Sequence, residues 1–315
     1  MNTLQPNTHY VNYKTQFSVH SEDRDIKRWP NSSLFEVCSP IEYKNVVSMQ
    51  LMDIDLPSSI YVFSNVNQNT KLSFSISGNN YQITLTSGTY TKLQLANELT
   101  GAMNAEVSKT ISGYNHFTVE YNSVTLKLMF LNDQDIFTLH FKTPDVYNCE
   151  ESYFGNYTKW GLGSYLGFNK EDYTATFTTI PMYYSNTTIS AFSVEPNYPL
   201  LISTDGQIYM ELQLCNSIDE IRPYAERSNY TYNAKYGGNH NSSFAKIPIS
   251  RLFNDPIIYN IFNANPPLER FDKFKFKLRY HDGREVDLNN MNYNFTIEVS
   301  MLKPDPKPLY RGNLN

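Results

Sequence analysis

The chain has 315 residues, room for a sizeable buried core; 40% hydrophobic and 15% aromatic residues exclude disorder over most of its length, and the same composition excludes collagen and coiled coil. A net charge of −5 argues against a dedicated nucleic-acid binder, although a local basic patch would escape this count. Three separated cysteines, Cys38, Cys149 and Cys215, make no paired framework and no zinc spacing, so free thiols in a reducing compartment are expected.

In chain order, period-2 alternation dominates. Short strands are expected at Phe17–His20 and Leu34–Val37, the latter bounded by Pro40, and a longer one over Asn45–Leu56. Leu72-Ser-Phe74-Ser-Ile76 and Tyr81-Gln-Ile83-Thr-Leu85 read as a hairpin turned at Gly78-Asn-Asn. Thr91 with Gln94 three residues on is a capping box, and Leu95, Leu99, Ala102 and Met103 follow at helical spacing. Phe117–Tyr121, Thr125–Phe130 and Phe137–Phe141 complete an α+β unit. Strands resume at Thr174–Thr179, Ile189–Val194, Ile208–Leu214, Phe244–Ile249, Ile257–Phe262, Phe271–Tyr280 and Asn294–Met301, with an Asp282-Gly283 turn before the last.

Long, uneven connections suit a Greek-key or jelly-roll sandwich better than a meander. The fold class is therefore mainly β: a single jelly-roll sandwich carrying a smaller inserted α+β (β-β-α-β-β) domain. The expected layout is an N-terminal arm 1–16, roll 17–63, insert 64–172, roll 173–302 and a Pro-rich tail 303–315, with arm and tail reaching neighbouring subunits.

Motifs with chemical content are few. Gly161-Leu-Gly163-Ser-Tyr-Leu-Gly167 has GxGxxxG spacing without the preceding strand of a dinucleotide site and reads as a tight structural loop. The six histidines are scattered without ligand spacing, so no metal or cofactor is expected. The pairs Asp53/Asp55 and Asp133/Asp135 could serve acid chemistry or be solvated edges. No GxSxG elbow or P-loop occurs. Six N-x-S/T sequons (Asn31, Asn156, Asn186, Asn229, Asn241, Asn294) fit chance among 35 Asn. The opening residues lack a charged-then-apolar leader and no apolar run reaches ~18 residues, so neither secretion nor a membrane span is expected.

Two features stand out. Arg24 lies between Asp23 and Asp25, ahead of Trp29-Pro30; it reads either as a fork within its own domain or as an anchor at a neighbouring subunit. Tyrosines crowd two loops, Tyr147/Tyr153/Tyr157/Tyr165 and Tyr224/Tyr230/Tyr232/Tyr236, which suits either a recognition surface or loop packing. Arg24, Asp25, Trp29, Trp160 and Phe168 are the candidate interface or clamp residues, the last two fixing the insert to the sandwich.

Several stretches together resemble the jelly-roll minor capsid proteins of nucleocytoplasmic large DNA viruses. They are SVHSEDRDIKRWPNSSLFEV and YKNVVSMQLMDIDLP near the start, SGTYTKLQLANELTGAMN at the helix, GSYLGF, and NPPLERFDKFKFKLRYHDGREVDLNNMNYNFTIEVS near the end. The resemblance runs from about Phe17 to Val299. It implies a non-enzymatic virion component, made in the host cytoplasm, that assembles with major capsid capsomers and other minor capsid proteins, with an inner viral membrane nearby. It is similar, too, to pentameric penton (vertex) proteins, which would make self-association the key contact. A carbohydrate-binding jelly-roll module is the alternative from another class, and a glycoside hydrolase using one of the Asp pairs is the third.

Overall fold

The computed structural model describes residues 9–57, 60–144, 148–182, 187–203, 206–222, 239–249 and 261–305. The chain is mainly β and splits into two compact units. One holds the described residues before Ser59 and after Asp205; the other is Ile60–Thr204.

The first unit contains β1 (Tyr10–His20) and β2 (Leu34–Asp55). The second contains β3 (Lys71–Ile76), β4 (Asn79–Thr84), α1 (Lys92–Ser108), β5 (Phe117–Asn122), β6 (Lys127–Asn132), β7 (Phe137–Leu139), α2 (Glu151–Asn156), α3 (Gly161–Leu166), β8 (Tyr173–Thr174), β9 (Thr176–Met182) and β10 (Thr187–Val194). The first resumes with β11 (Gln207–Leu212), β12 (Ile218–Arg222), β13 (Asn239–Ser243), β14 (Ala245–Pro248), β15 (Ile261–Arg279) and β16 (Asn294–Pro304).

The first unit's topology follows from register. Its sheet runs β1-β16-β2-β15-β11-β14, all antiparallel. The two long strands change partners part-way. Val46–Asp55 of β2 pairs with β16 and, through Ser48–Gln50, with Ile261–Asn263 of β15. Leu34–Lys44 pairs with Arg270–Lys277, and Leu268 sits opposite Val46. The register breaks where they turn: Asn45 has φ 51°, and 264–267 are skipped between Asn263 and Leu268. The result is two stacks of four, β1-β16-β2-β15 and β2-β15-β11-β14, which is the pairing of an eight-stranded jelly roll whose second and third strands are continuous in β2 and whose sixth and seventh are continuous in β15. Rings meet between the stacks without sharing hydrogen bonds: Phe17 lies 4.7 Å from Phe274, and Phe295 4.7 Å from Phe276. These contacts close a sandwich whose inner faces bury Phe35, Met49, Leu51, Phe274, Phe276, Ile297 and Val299.

Several expectations are corrected here. Pro40 does not end a strand, because residues 39–42 bulge out of register between the Cys38–Lys273 and Tyr43–Phe271 pairs and need no ladder donor there. Residues 10–16, expected as a separate arm, are part of the roll and pair with Glu298–Pro304: Tyr10 sits opposite Pro304, and the Lys303 ammonium lies 3.5 Å from the Tyr13 ring centroid. Residues 1–8 and 306–315, the start of the expected 257–262 strand, Tyr147, Asn186, Asn229 and the Tyr224–Tyr236 cluster lie outside the described residues.

In the second unit, one sheet is β4-β3-β7-β8 and the other β5-β6-β10-β9. The β3–β4 hairpin turns at Ser77-Gly78, both with positive φ, so the turn falls one residue earlier than the Gly78-Asn-Asn expected. Helix α1 has the expected capping box, with Thr91 Oγ1 accepting from the Gln94 amide and Gln94 Oε1 accepting from the Thr91 amide. The helix buries Leu95, Leu99, Met103 and Val107 against the strands. Strands β9 and β10, expected in the roll after 172, belong to this unit: Phe192–Val194 pair with Phe130–Asn132 of β6. Among the described residues no helix is long and apolar enough to cross a membrane.

Candidate functional site

The Arg24 segment is built as a fork within its own unit. A short 3-10 turn at Ser21–Asp23 follows β1 and turns Arg24 inward, where it is 8% exposed. Its Nε donates to the Trp29 carbonyl (3.0 Å), Nη2 to the Pro30 carbonyl (3.1 Å), and Nη1 to the Ser21 carbonyl (2.6 Å) and Asn292 Oδ1 (2.7 Å). Ser21 and Tyr293 reinforce the joint, the Ser21 amide donating to the Tyr293 carbonyl and the Tyr293 amide to Ser21 Oγ, each at 2.9 Å. The guanidinium therefore ties the loop after β1 to the loop before β16. Asp25 does not pair with it. Asp25 Oδ1 accepts from the Lys27 and Arg28 amides, which shapes the turn.

Trp29 is half-buried, with Arg28 and Lys275 each 5.2 Å from its ring. Arg24→Ala strands three main-chain carbonyls and Asn292 in a poorly hydrated joint. It is expected to cost about 2–3 kcal/mol of stability, measured by thermal denaturation followed on Trp29 emission in a Trp160→Phe background. Arg24→Lys does not restore it, since a single ammonium cannot span the fork.

Trp160 and Phe168 are brought together inside the second unit. The Phe141 ring lies 5.9 Å from Trp160 and 4.9 Å from Phe168, and Phe154 covers Trp160 from 5.3 Å. The expected role of fastening the insert to the sandwich is replaced by one in the insert's own core. The glycine run around them is a packing device. At Gly163 a Cβ would stand 2.7 Å from Phe141 and 2.8 Å from Trp160, and Gly167 caps α3 in the left-handed region with φ 90°.

The acidic pairs do not assemble a reactive centre. Asp53 and Asp55 lie exposed on β2, opposite Thr296 and Asn294. Asp133 pairs with His116 (2.7 Å), while Asp135 accepts from the Tyr114 hydroxyl (2.9 Å). The Tyr114 phenol is pushed well above its usual range by burial, with Asp135 adding to the effect and the Asn132 hydrogen bond opposing it.

Sequence reading missed a buried charge cluster at the β11–β12–β15 junction. Arg279, 1% exposed, holds Glu211 through Nε and Glu220 through both terminal nitrogens, at 2.6 and 3.3 Å. The guanidinium carbon lies 5.1 Å from the Tyr209 ring centroid, and His281 Nδ1 is 2.9 Å from Glu220. Burial works against the Glu220 charge. The hydrogen bonds from Arg279 and His281 outweigh it, so the carboxyl is held below its usual range. The only local signal was the run Arg279-Tyr-His281 beside the Asp-Gly turn.

Among the described residues one edge of the roll is open. β1 ends one stack, and the Leu34–Lys44 half of β2 ends the other. A groove of about 590 Å³ lies between them, lined by Phe17, Tyr43 and Phe274 at its base and by Asp23 and Glu36 at its rim. Phe17 and Tyr43 stack at 5.6 Å there.

The sequence pattern of a family of unknown function (DUF5901) matches residues 7–136. No curated protein matches this chain. Among solved structures, the mavirus penton protein is similar at 8% identity, covering 94% of this chain and 100% of that one, with a TM-score of 0.37. A chain of the Sputnik virophage cryo-EM structure is similar at 12% identity, covering 91% and 97% respectively, with a TM-score of 0.35.

Proposed function

We propose that this chain is a non-enzymatic structural subunit of an icosahedral virus shell, a single jelly roll that carries a second unit between its third and fourth strands. The carrying observation is the open edge of the roll. Two strands that end their stacks among the described residues flank a groove floored by Phe17, Tyr43 and Phe274. Such an edge pairs with, or is covered by, a neighbour in an assembly. Trp29, half-buried between two cations and joined to this region through the Arg24 fork, is a candidate anchor beside it. The sequence resemblance to jelly-roll minor capsid proteins points the same way.

Two places in a shell fit. A minor component lies against major capsid capsomers and cements them. A vertex subunit closes a ring of five; one roll per chain, interrupted by an inserted unit, favours this second place. Light scattering across a concentration series separates them: a closed pentamer is expected for the vertex, a monomer for a component that orders only on the major capsid lattice. A dimer that persists at every concentration would fit neither.

A further inference from the structure

The groove at the open edge follows only part of β1. Residues 15–20 of that strand line it, with 36–39, Ile41 and Tyr43 of β2 and Phe274 of β15. Ile41, in the bulge outside the β2–β15 ladder, is 56% exposed at this groove. The acidic residues along it are Asp23 and Glu36, and no Lys or Arg lines it. Arg28 lies 3.7 Å from Glu36 with its own side chain in solvent, a pair that a second cation can replace at little cost.

Residues 306–315 read PKPLYRGNLN, with two cations, Lys307 and Arg311, and no acidic side chain. Pro306 and Pro308 are two apart. In an extended strand that spacing turns both missing amide protons to one edge, so the strand bonds only on its other side, as an added edge strand does. The same alternation sets Pro306, Pro308 and Tyr310 on one face and Lys307, Leu309 and Arg311 on the other. An apolar face and a basic one suit a groove with an aromatic floor and acidic residues beside it.

The copy that supplies the segment follows from reach. The Asp305 amide donates to the His9 carbonyl (2.8 Å), so the chain leaves β16 beside the start of β1. Phe17 is eight positions beyond His9, about 26 Å along a strand rising ~3.3 Å per residue. Tyr310 is five positions beyond Asp305, at most about 18 Å away even if the chain doubled straight back. Residues 306–310 therefore fall short of Phe17 in their own copy, a limit that a second copy does not share.

We propose that residues 306–311 of one copy dock as an added edge strand in the open-edge groove of a second copy. This rests on the shell reading above and names the partner of its groove. Each subunit gives one segment and takes one, a head-to-tail contact of the kind that generates rings.

Cys38 supplies the reporter: it is an exposed thiol beside the groove, whereas Cys149 and Cys215 are buried. Full-length protein carrying Leu309→Cys is treated with a short bis-maleimide and resolved on a denaturing gel. Crosslinked species above the monomer are expected, and their loss when Cys38→Ser is added. Tyr310→Asp and Ile41→Asp, the latter at an exposed position off the ladder, are each expected to weaken self-association at least about tenfold in the scattering series. Crosslinks confined to the monomer band, crosslinks that persist without Cys38, no crosslinks at all, or self-association unchanged in both variants overturn the proposal. If that happens while the wild type still closes a ring, the shell reading stands and only the place of residues 306–311 is lost. A persistent dimer without these crosslinks removes both.

Discussion

Arg279→Met is expected to lower the stability of the jelly-roll unit by about 3–5 kcal/mol, because it leaves Glu220 ionised in a dry site with only His281 beside it. For a unit of this size that is a drop of about 10 °C in Tm. The penalty belongs to the stranded charge, so adding Glu220→Gln should recover more than half of it. Calorimetric scans of the two single variants and the double variant measure the coupling. The deficit also has a pH signature. In the wild type the Glu220 carboxyl is held below the 4.5 of the unfolded chain, after burial and the opposing Arg279 and His281 hydrogen bonds are balanced. Its contribution is therefore complete above that value and is lost as pH falls through the folded value. Without Arg279, burial prevails and the folded value rises. The gap between variant and wild type is then widest near neutrality and narrows below about pH 4.5. A gap that is constant from pH 4 to 7 would mean that Arg279 acts through packing alone.

Gly167→Ala is the second large effect, expected at about 3–5 kcal/mol against the inserted unit. Gly167 has φ 90°, and a Cβ there would stand 2.8 Å from the Tyr198 carbonyl carbon and 3.2 Å from the Pro199 oxygen. The obstacle is backbone, which cannot rotate aside, and the Tyr198 amide donates to the Gly167 carbonyl at 2.9 Å, so the two chains are pinned at this approach. Gly78→Ala and Gly113→Ala provide the comparison. Both positions have positive φ, 81° and 76°, but open space around the missing Cβ. They should cost only about 1 kcal/mol each, the conformational part alone. Chemical denaturation followed on Trp160 emission, in a Trp29→Phe background, reads the inserted unit without the roll. Equal losses at all three glycines would show that the Tyr198 approach contributes nothing.

The sequence exposes faces more readily than partners. The alternation Leu72-Phe74-Ile76 correctly marks a buried stripe, and Thr91 with Gln94 marks the start of α1, because each signal is local. Strands 176–182 and 187–194 alternate just as clearly, yet nothing in alternation says that their hydrogen bonds go to β6 rather than to the roll. The two bent strands were harder still. Pro40 reads as the end of one strand and Asn45 as the start of another, whereas one continuous strand runs through both from one stack to the other. At the candidate sites, Arg24 between two aspartates was visible as an unusual arginine, but its partners are carbonyls and Asn292, and no flanking residue announces those. The Arg279–Glu220 pair spans 59 positions and carries no motif, so only the fold brings it to light.

The pairing of β1 with β16 has a consequence for how the molecule comes into being. Tyr10 is opposite Pro304, and β2 waits for strands more than two hundred positions downstream on both sides. During synthesis the first two strands therefore emerge long before any partner exists. Every ladder of the inserted unit, by contrast, closes within residues 60–204. The nascent chain is then ordered from its middle outward. The insert can condense while still tethered to the ribosome, and the roll zips shut last, with its apolar edges bare in the interval. That interval is where chaperones, or premature contact with a sibling chain, would act.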